Sequence, residues 1–270
     1  MLEKYLLPLV CERFINDMRY REGHLRVVNA LPQRKVFGLH IPDIKKLAKC
    51  ISAKGAIIRL PDGNEYYFNS GKDVIRCFEQ LSDKLLCYEE CLLWGFLINY
   101  GKFTLDERLA MLRSYVPIID NWAVCDTFCA NAKWIAKIDK EGLWLFLQPY
   151  FKSKREFEVR FAVVASMCYL LCEEWLDRLF ETINTISFEE IASEYRTIKG
   201  KPQKAQEGSV QGASPYYVRM GVAWLLATAL ASFPHQTREF VRSSSLPDDV
   251  VRLYIRKARE SFRTRTIDAI

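Results

Sequence analysis

An all-α fold built from antiparallel helix pairs, an α-solenoid of the HEAT-like or armadillo type, is what this sequence predicts, and three observations predict it. Apolar residues recur at spacings of three and four in one segment after another, the signature of helices with a buried stripe. Only 12 glycines and 10 prolines occur in 270 residues, too few to punctuate many short strands. From Asp73 onward the segments recur at about 35 to 45 residues per helix pair, a repeat-protein period. Half of the residues are hydrophobic, enough to close a core, and the chain reads as one repeat domain over residues 1–270.

Taken in order, "MLEKYLLPLVCERF" carries charges at Glu3, Lys4, Glu12 and Arg13 among apolar residues, and reads as an amphipathic helix. "AIIRLPDGNEYYFNSG", residues 56–71, places a "PDGN" turn between two β-favouring runs and predicts a small hairpin inserted between helices. Helical periodicity then dominates "DVIRCFEQLSDKLLCYEECLLWGFLINY", "LDERLAMLRSY", "EGLWLFLQPYF", "EFEVRFAVVASMCYLLCEEWLDRLFETI", "YYVRMGVAWLLATALASF" and "DDVVRLYIRKARESF". Thr104 with Glu107, and Ser187 with Glu190, have capping-box spacing. Pro117, Pro149 and Pro234 stand where helices are expected to end. The segments 156–171 and 216–231 are apolar almost all round, as befits inner helices covered on both faces. Residues 199–215, "KGKPQKAQEGSVQGASP", are polar and rich in Gly, Gln and Ser, and read as a loop or linker.

A formal charge of +6 permits an anionic partner without requiring one. No leader peptide and no apolar run long enough to span a bilayer is read, so a cytoplasmic protein with reduced thiols is expected, a monomer by default. Nine cysteines include three i, i+4 pairs: Cys87/Cys91, Cys125/Cys129 and Cys168/Cys172. Each pair lies in an apolar segment, and none of the three histidines (His24, His40, His235) is near one in sequence. Small buried hydrophobes are therefore a better account than half a zinc site. No CxxC, HExxH or phosphate-binding glycine loop occurs, and neither a metal nor another cofactor is expected.

The informative residues are polar or bulky groups set into apolar helices. In "IIDNWAVCDTFC", Trp122 and Asp126 are four apart and so share one face. A carboxylate there is costly unless it caps a helix, meets a cation or serves a site. Arg160 is the one cation in "EFEVRFAVVASMCYLL"; it either joins a structural pair, with Glu156 or Asp126 in reach, or presents a planar fork to phosphate. Trp224, in "VRMGVAWLLATAL", taken alone reads as core.

In order, "FGLHIPDIKKLAK", "IDNWAVCDTFC", "REFEVRFAVV", "YYVRMGVAWLLATALASFP" and "VVRLYIRKARESFR" resemble the AlkD family of DNA alkylation repair proteins, which are HEAT-like-repeat DNA glycosylases. The resemblance spans about residues 36–263, with gaps at the two irregular stretches, and rests on the order and spacing of the segments. It implies a concave basic surface that holds double-stranded DNA with alkylated bases. It further implies that Asp126 is the catalytic carboxylate, that Trp122 and Trp224 are aromatic walls beside the damaged nucleotide, and that Arg160 contacts a backbone phosphate. Ala123 follows Trp122 where the family often has a second Trp, so one indole stands on that turn.

The implied chemistry is hydrolysis of the N-glycosidic bond of cationic N3- or N7-alkylpurines, with the lesion left stacked rather than flipped into a pocket. A carboxylate and an electron-rich indole on one stripe both favour the positive charge that develops on the sugar. The reading from another class is a non-catalytic HEAT-repeat module that binds DNA or protein without releasing a base.

Overall fold

The computed structural model describes residues 1–81, 85–195, 197–198, 201–202 and 215–270. The fold is all-α and solenoid-like, with a small hairpin. Two compact units divide the chain, residues 1–133 and 134–270. The expected loop over 199–215 lies outside the described residues, apart from residues 201–202 and Pro215.

In the first unit, α1 (Glu3–Leu6), a 3-10 turn (Leu7–Leu9) and α2 (Glu12–Asn16) replace the single amphipathic helix expected at the start. Pro8 sits in the 3-10 turn and has no N–H to continue the α-helical ladder, and the chain leaves helical backbone at Val10 and Cys11, which are extended. Helix α3 (Met18–Val28) stops where Asn29 takes left-handed backbone, φ 48°, and returns its N–H to the Leu25 carbonyl at 2.8 Å.

Helix α4 (Ile41–Lys54) has Pro42 in its first turn and ends at Gly55. Glycine is required at 55: φ is +71°, and a Cβ would stand 1.9 Å from the Phe68 carbonyl oxygen. The expected hairpin follows. Strands β1 (Ala56–Arg59) and β2 (Glu65–Phe68) pair antiparallel from Ala56↔Phe68 to Arg59↔Glu65. The Asp62 carboxylate accepts the Asn64 N–H at 2.9 Å in the turn between them.

Helix α5 (Gly71–Gln80) leads to α6 (Tyr88–Tyr100), whose residues 88–99 are all buried. Helices α7 (Leu105–Tyr115) and α8 (Trp122–Asn131) complete the unit. Helices α4, α6 and α8 pack side by side, with α5 and α7 also against α6. The Thr104–Glu107 capping box is present: Glu107 N–H donates to Thr104 Oγ1 at 3.2 Å, and Thr104 N–H to Glu107 Oε2 at 2.9 Å.

In the second unit, α9 (Lys140–Phe151), α10 (Glu156–Tyr169) and α11 (Glu173–Asn184) precede α12 (Tyr216–Leu230), α13 (Pro234–Ser243) and α14 (Asp248–Glu260). Helix α10 packs on α9 and α12, and α12 on α14. A pair of two-residue strands, β3 (Thr197–Ile198) and β4 (Lys201–Pro202), is antiparallel. The long segment from residue 156 to 183 is two helices, because Leu170 ends α10 and the extended Cys172 caps α11. Ser187 makes no capping hydrogen bond; it precedes only a single 3-10 turn, Phe188–Glu190. Pro117 falls just past α7 and Pro234 opens α13, whereas Pro149 lies within the last turn of α9. Among the described residues no helix is long and apolar enough to cross a membrane.

Helix α6 carries two carboxylates into the first core. Glu89, wholly buried, accepts the N–H groups of Phe37 at 3.0 Å and Gly38 at 2.8 Å; Glu90 accepts those of Cys87 at 2.9 Å and Leu2 at 2.7 Å. Burial pushes the Glu89 carboxyl up, and the amide hydrogen bonds pull against it. The Glu89 contacts hold residues 37–39 onto α6, and those of Glu90 hold the start of the chain. Glu89→Ala is expected to cost about 3 kcal/mol in denaturant-induced unfolding, because buried amides lose their acceptor; a loss under about 0.5 kcal/mol contradicts that role.

Candidate functional site

Helix α8 starts where it does because its first side chains grip the end of α3. Asn121 is the cap: its Oδ1 accepts the Ala123 N–H at 2.8 Å, while its Nδ2 donates to the Val28 carbonyl at 2.7 Å. The Trp122 indole N–H donates to the Val27 carbonyl at 3.1 Å. Two carbonyls at the C-terminal end of α3 thereby gain donors that the helix cannot supply. The indole is also held in one orientation.

One turn on, Asp126 projects from the same stripe as Trp122. Both side chains are half-buried, while Ala123, Val124, Cys125, Phe128 and Cys129 are buried against the core. The expected buried helix is thus buried on one side only. Asp126 is not a helix cap, since Asn121 holds that position. A half-buried carboxylate one turn from a fixed indole favours positive charge.

Arg160 and Trp224 belong to the second unit, on the packed pair α10 and α12. Trp224 is half-buried on α12. Arg160 is 3% exposed; one guanidinium nitrogen donates to the Tyr217 carbonyl, and the guanidinium carbon lies 5.9 Å from the Tyr217 ring centroid. Beside it, Glu156 is also 3% exposed. Its Oε1 accepts the Tyr217 N–H at 2.6 Å, and its Oε2 accepts the Ser193 hydroxyl. Phe157, Tyr195 and Tyr217 pack around this group, with Tyr195 and Tyr217 edge to face at 4.8 Å.

Burial pushes the Glu156 carboxyl up to about 7, against the pull of Ser193, the Tyr217 amide and the Arg160 charge. Of the structural partners open to Arg160 in the sequence, the surroundings are those of Glu156. A phosphate contact by Arg160 requires the guanidinium to leave the Tyr217 carbonyl. Asn121 carried no signal that its amide would reach another helix's carbonyl 93 positions away.

Of the three cysteine pairs, Cys87/Cys91 and Cys125/Cys129 are buried, as expected of small hydrophobes. The third departs from that expectation: Cys168 is exposed and Cys172 half-buried, because α10 ends between them and Cys172 becomes the cap of α11. Among the described residues, no group of three or more His, Cys, Asp or Glu is placed to hold a metal ion. No protein-family model, curated protein or solved structure matches the chain.

The Glu156 shift sets a pH dependence. A carboxyl whose folded value is raised binds its proton more tightly in the folded state. Its stabilising contribution is full below the ordinary value near 4.5 and is lost as pH climbs through about 7. Thermal or denaturant unfolding of wild type and Glu156→Gln is expected to show wild type losing of order 2–3 kcal/mol relative to the variant between mildly acidic and mildly alkaline pH. A gap that does not change with pH contradicts the raised value.

Proposed function

We propose that the chain is a DNA alkylation repair glycosylase that hydrolyses the N-glycosidic bond of cationic N3- or N7-alkylpurines in duplex DNA. The observation that carries this reading is the α8 stripe: Trp122 and Asp126 share a face, both remain half-exposed, and hydrogen bonding to the α3 terminus holds the indole in place. The ordered segments that resemble AlkD-type glycosylases, and the all-α solenoid-like fold, point the same way.

In this reading the alkylated base is already cationic, so its glycosidic bond is weak. As that bond breaks, its electron pair moves onto the base and cancels the base's charge. Positive charge appears on the sugar, where the Asp126 carboxylate and the Trp122 face stabilise it. Water adds to C1′ and gives a proton to Asp126. For Trp224 and Arg160, in the second unit, the resemblance implies the roles of aromatic surface and phosphate contact, the latter only once the guanidinium leaves its buried partners, the Tyr217 carbonyl among them.

The burial of Arg160 favours a second reading, a non-catalytic helical-repeat module that binds DNA or protein. That module binds duplex DNA, if at all, with the salt dependence of phosphate contacts and releases no base.

The two readings separate on one assay. With duplex DNA containing 7-methylguanine, the wild-type protein is expected to release the free base, and Asp126→Asn to release it at least about 10²-fold more slowly while binding the duplex with unchanged affinity. Equal release rates remove Asp126 from the chemistry. No release by wild type, with binding intact, leaves the module.

A further inference from the structure

Away from α8, in the second unit, a lysine and a cysteine meet directly. The Lys140 ammonium donates to Cys172 Sγ at 3.1 Å. Lys140 is the first residue of α9, and Cys172 caps α11. The next residues hold the two helix starts together. Arg178 of α11 makes a two-pronged ion pair with Glu141 of α9, at 2.7 and 3.1 Å. The same guanidinium lies over both Trp144 and Trp175, at 4.7 and 4.9 Å from their centroids. Those two indoles pack at 5.6 Å. The Lys140–Cys172 contact therefore sits beside a buried pair of indoles that joins α9 to α11.

Access separates this thiol from the five buried ones, and the lysine contact separates it from the exposed Cys50. Cys77, Cys87, Cys91, Cys125 and Cys129 are buried, and burial raises Cys77 and Cys87 above the ordinary thiol range. Buried thiols of that kind are inert. Cys172 is half-buried and the Lys140 side chain 44% exposed, so a small oxidant reaches both atoms. Glu174 stands 3.6 Å from the lysine nitrogen.

We infer that Lys140 and Cys172 form an oxidative modification site, at which a small oxygen-derived oxidant joins Sγ to Nζ through one oxygen atom. With dioxygen as the oxidant the step balances as follows. The ammonium first gives a proton to solvent, which is uphill here because the hydrogen bond to Cys172, and then the nearby Glu174, raise the lysine above its ordinary range. The S–H bond and one N–H bond then break, and S–O and O–N bonds form. The second oxygen atom leaves as water with those two hydrogens, and four electrons pass from sulfur and nitrogen to oxygen. A thiol reductant in excess reverses the link in two two-electron steps: S–O cleavage returns the Cys172 thiol and leaves a hydroxylamine on Lys140, and reduction of its N–O bond returns the amine and releases the oxygen as water, with two thiols oxidised to a disulfide in each step. The bridge ties the first residue of α9 to the cap of α11, where the two helices already meet.

The experiment exposes the full-length protein to air or dilute hydrogen peroxide, then measures intact mass and maps peptides with and without a reductant. The expected result is a gain of one oxygen less two hydrogens, a peptide joining Lys140 to Cys172, a higher melting temperature, and loss of all three on reduction. Lys140→Arg and Cys172→Ser each abolish the linked peptide, and both variants are expected to keep the wild-type circular dichroism spectrum, because Lys140 and Cys172 are not in the packed core. Cys50, exposed on α4, is the internal control and stays unlinked. Oxidation that yields only a Cys168–Cys172 disulfide, only sulfinic or sulfonic acid at Cys172, or the same mass change in Lys140→Arg overturns the inference.

Discussion

Helices that are apolar all round must still satisfy the backbone groups at their ends and at the ends of their neighbours, and this structure depends on how that is done. Helix α6 sends Glu89 to the amides of Phe37 and Gly38, and Glu90 to those of Leu2 and Cys87. Helix α10 sends Glu156 to the amide of Tyr217, in the first turn of α12, and Arg160 to the Tyr217 carbonyl. Helix α8 does the converse, with Asn121 and Trp122 donating to carbonyls at the end of α3. In each case a side chain from one helix pairs a backbone group of another segment; around Glu89, Glu90, Glu156 and Arg160 those groups are buried, whereas the Val27 carbonyl at the end of α3 is exposed. The cost is paired carboxylates in a low-dielectric core, which is tolerable only because each oxygen has a donor.

The same constraint bears on the candidate site. Trp122 satisfies a neighbour's carbonyl and, in doing so, holds its ring in one place. Asp126, Thr127 and Asn131 are the polar residues of that helix at half exposure, and of these Asp126 lies one turn from the Trp122 ring. Arg160 shows the opposite outcome: a side chain whose fork suits phosphate is drawn into the terminus of α12. A residue type on an inner helix therefore does not settle whether it serves the backbone or a ligand. Burial separates the two here: Asp126 is half-buried and Arg160 is 3% exposed.

Much of the architecture was legible. Spacings of three and four gave the helices from α5 to α12 and α14 but not α13, "PDGN" gave the hairpin, and Thr104 with Glu107 gave a capping box that is formed. The failures were local. Pro8 stood in plain view within a pattern that otherwise reads as one helix, and its missing N–H broke it. The break between α10 and α11 left no glycine or proline as a marker. Ser187 had the right spacing but no helix long enough to cap. For the site, the i, i+4 stripe of Trp122 and Asp126 could be read from spacing, whereas their half exposure could not. Contacts between Lys140 and Cys172, or Glu89 and Gly38, join residues 32 and 51 positions apart, and no local pattern encodes such pairs.

The central claim is that the α8 stripe receives a sugar that is becoming a cation. It is tested most directly by a crystal structure of the protein with duplex DNA carrying a 2′-fluorinated 7-methylguanine nucleotide, whose glycosidic bond resists cleavage. The account predicts the Asp126 carboxylate facing C1′ of that nucleotide, with the Trp122 ring against its sugar and the indole N–H still on the Val27 carbonyl. A duplex bound elsewhere on the molecule, with Asp126 and Trp122 remote from the modified nucleotide, contradicts it.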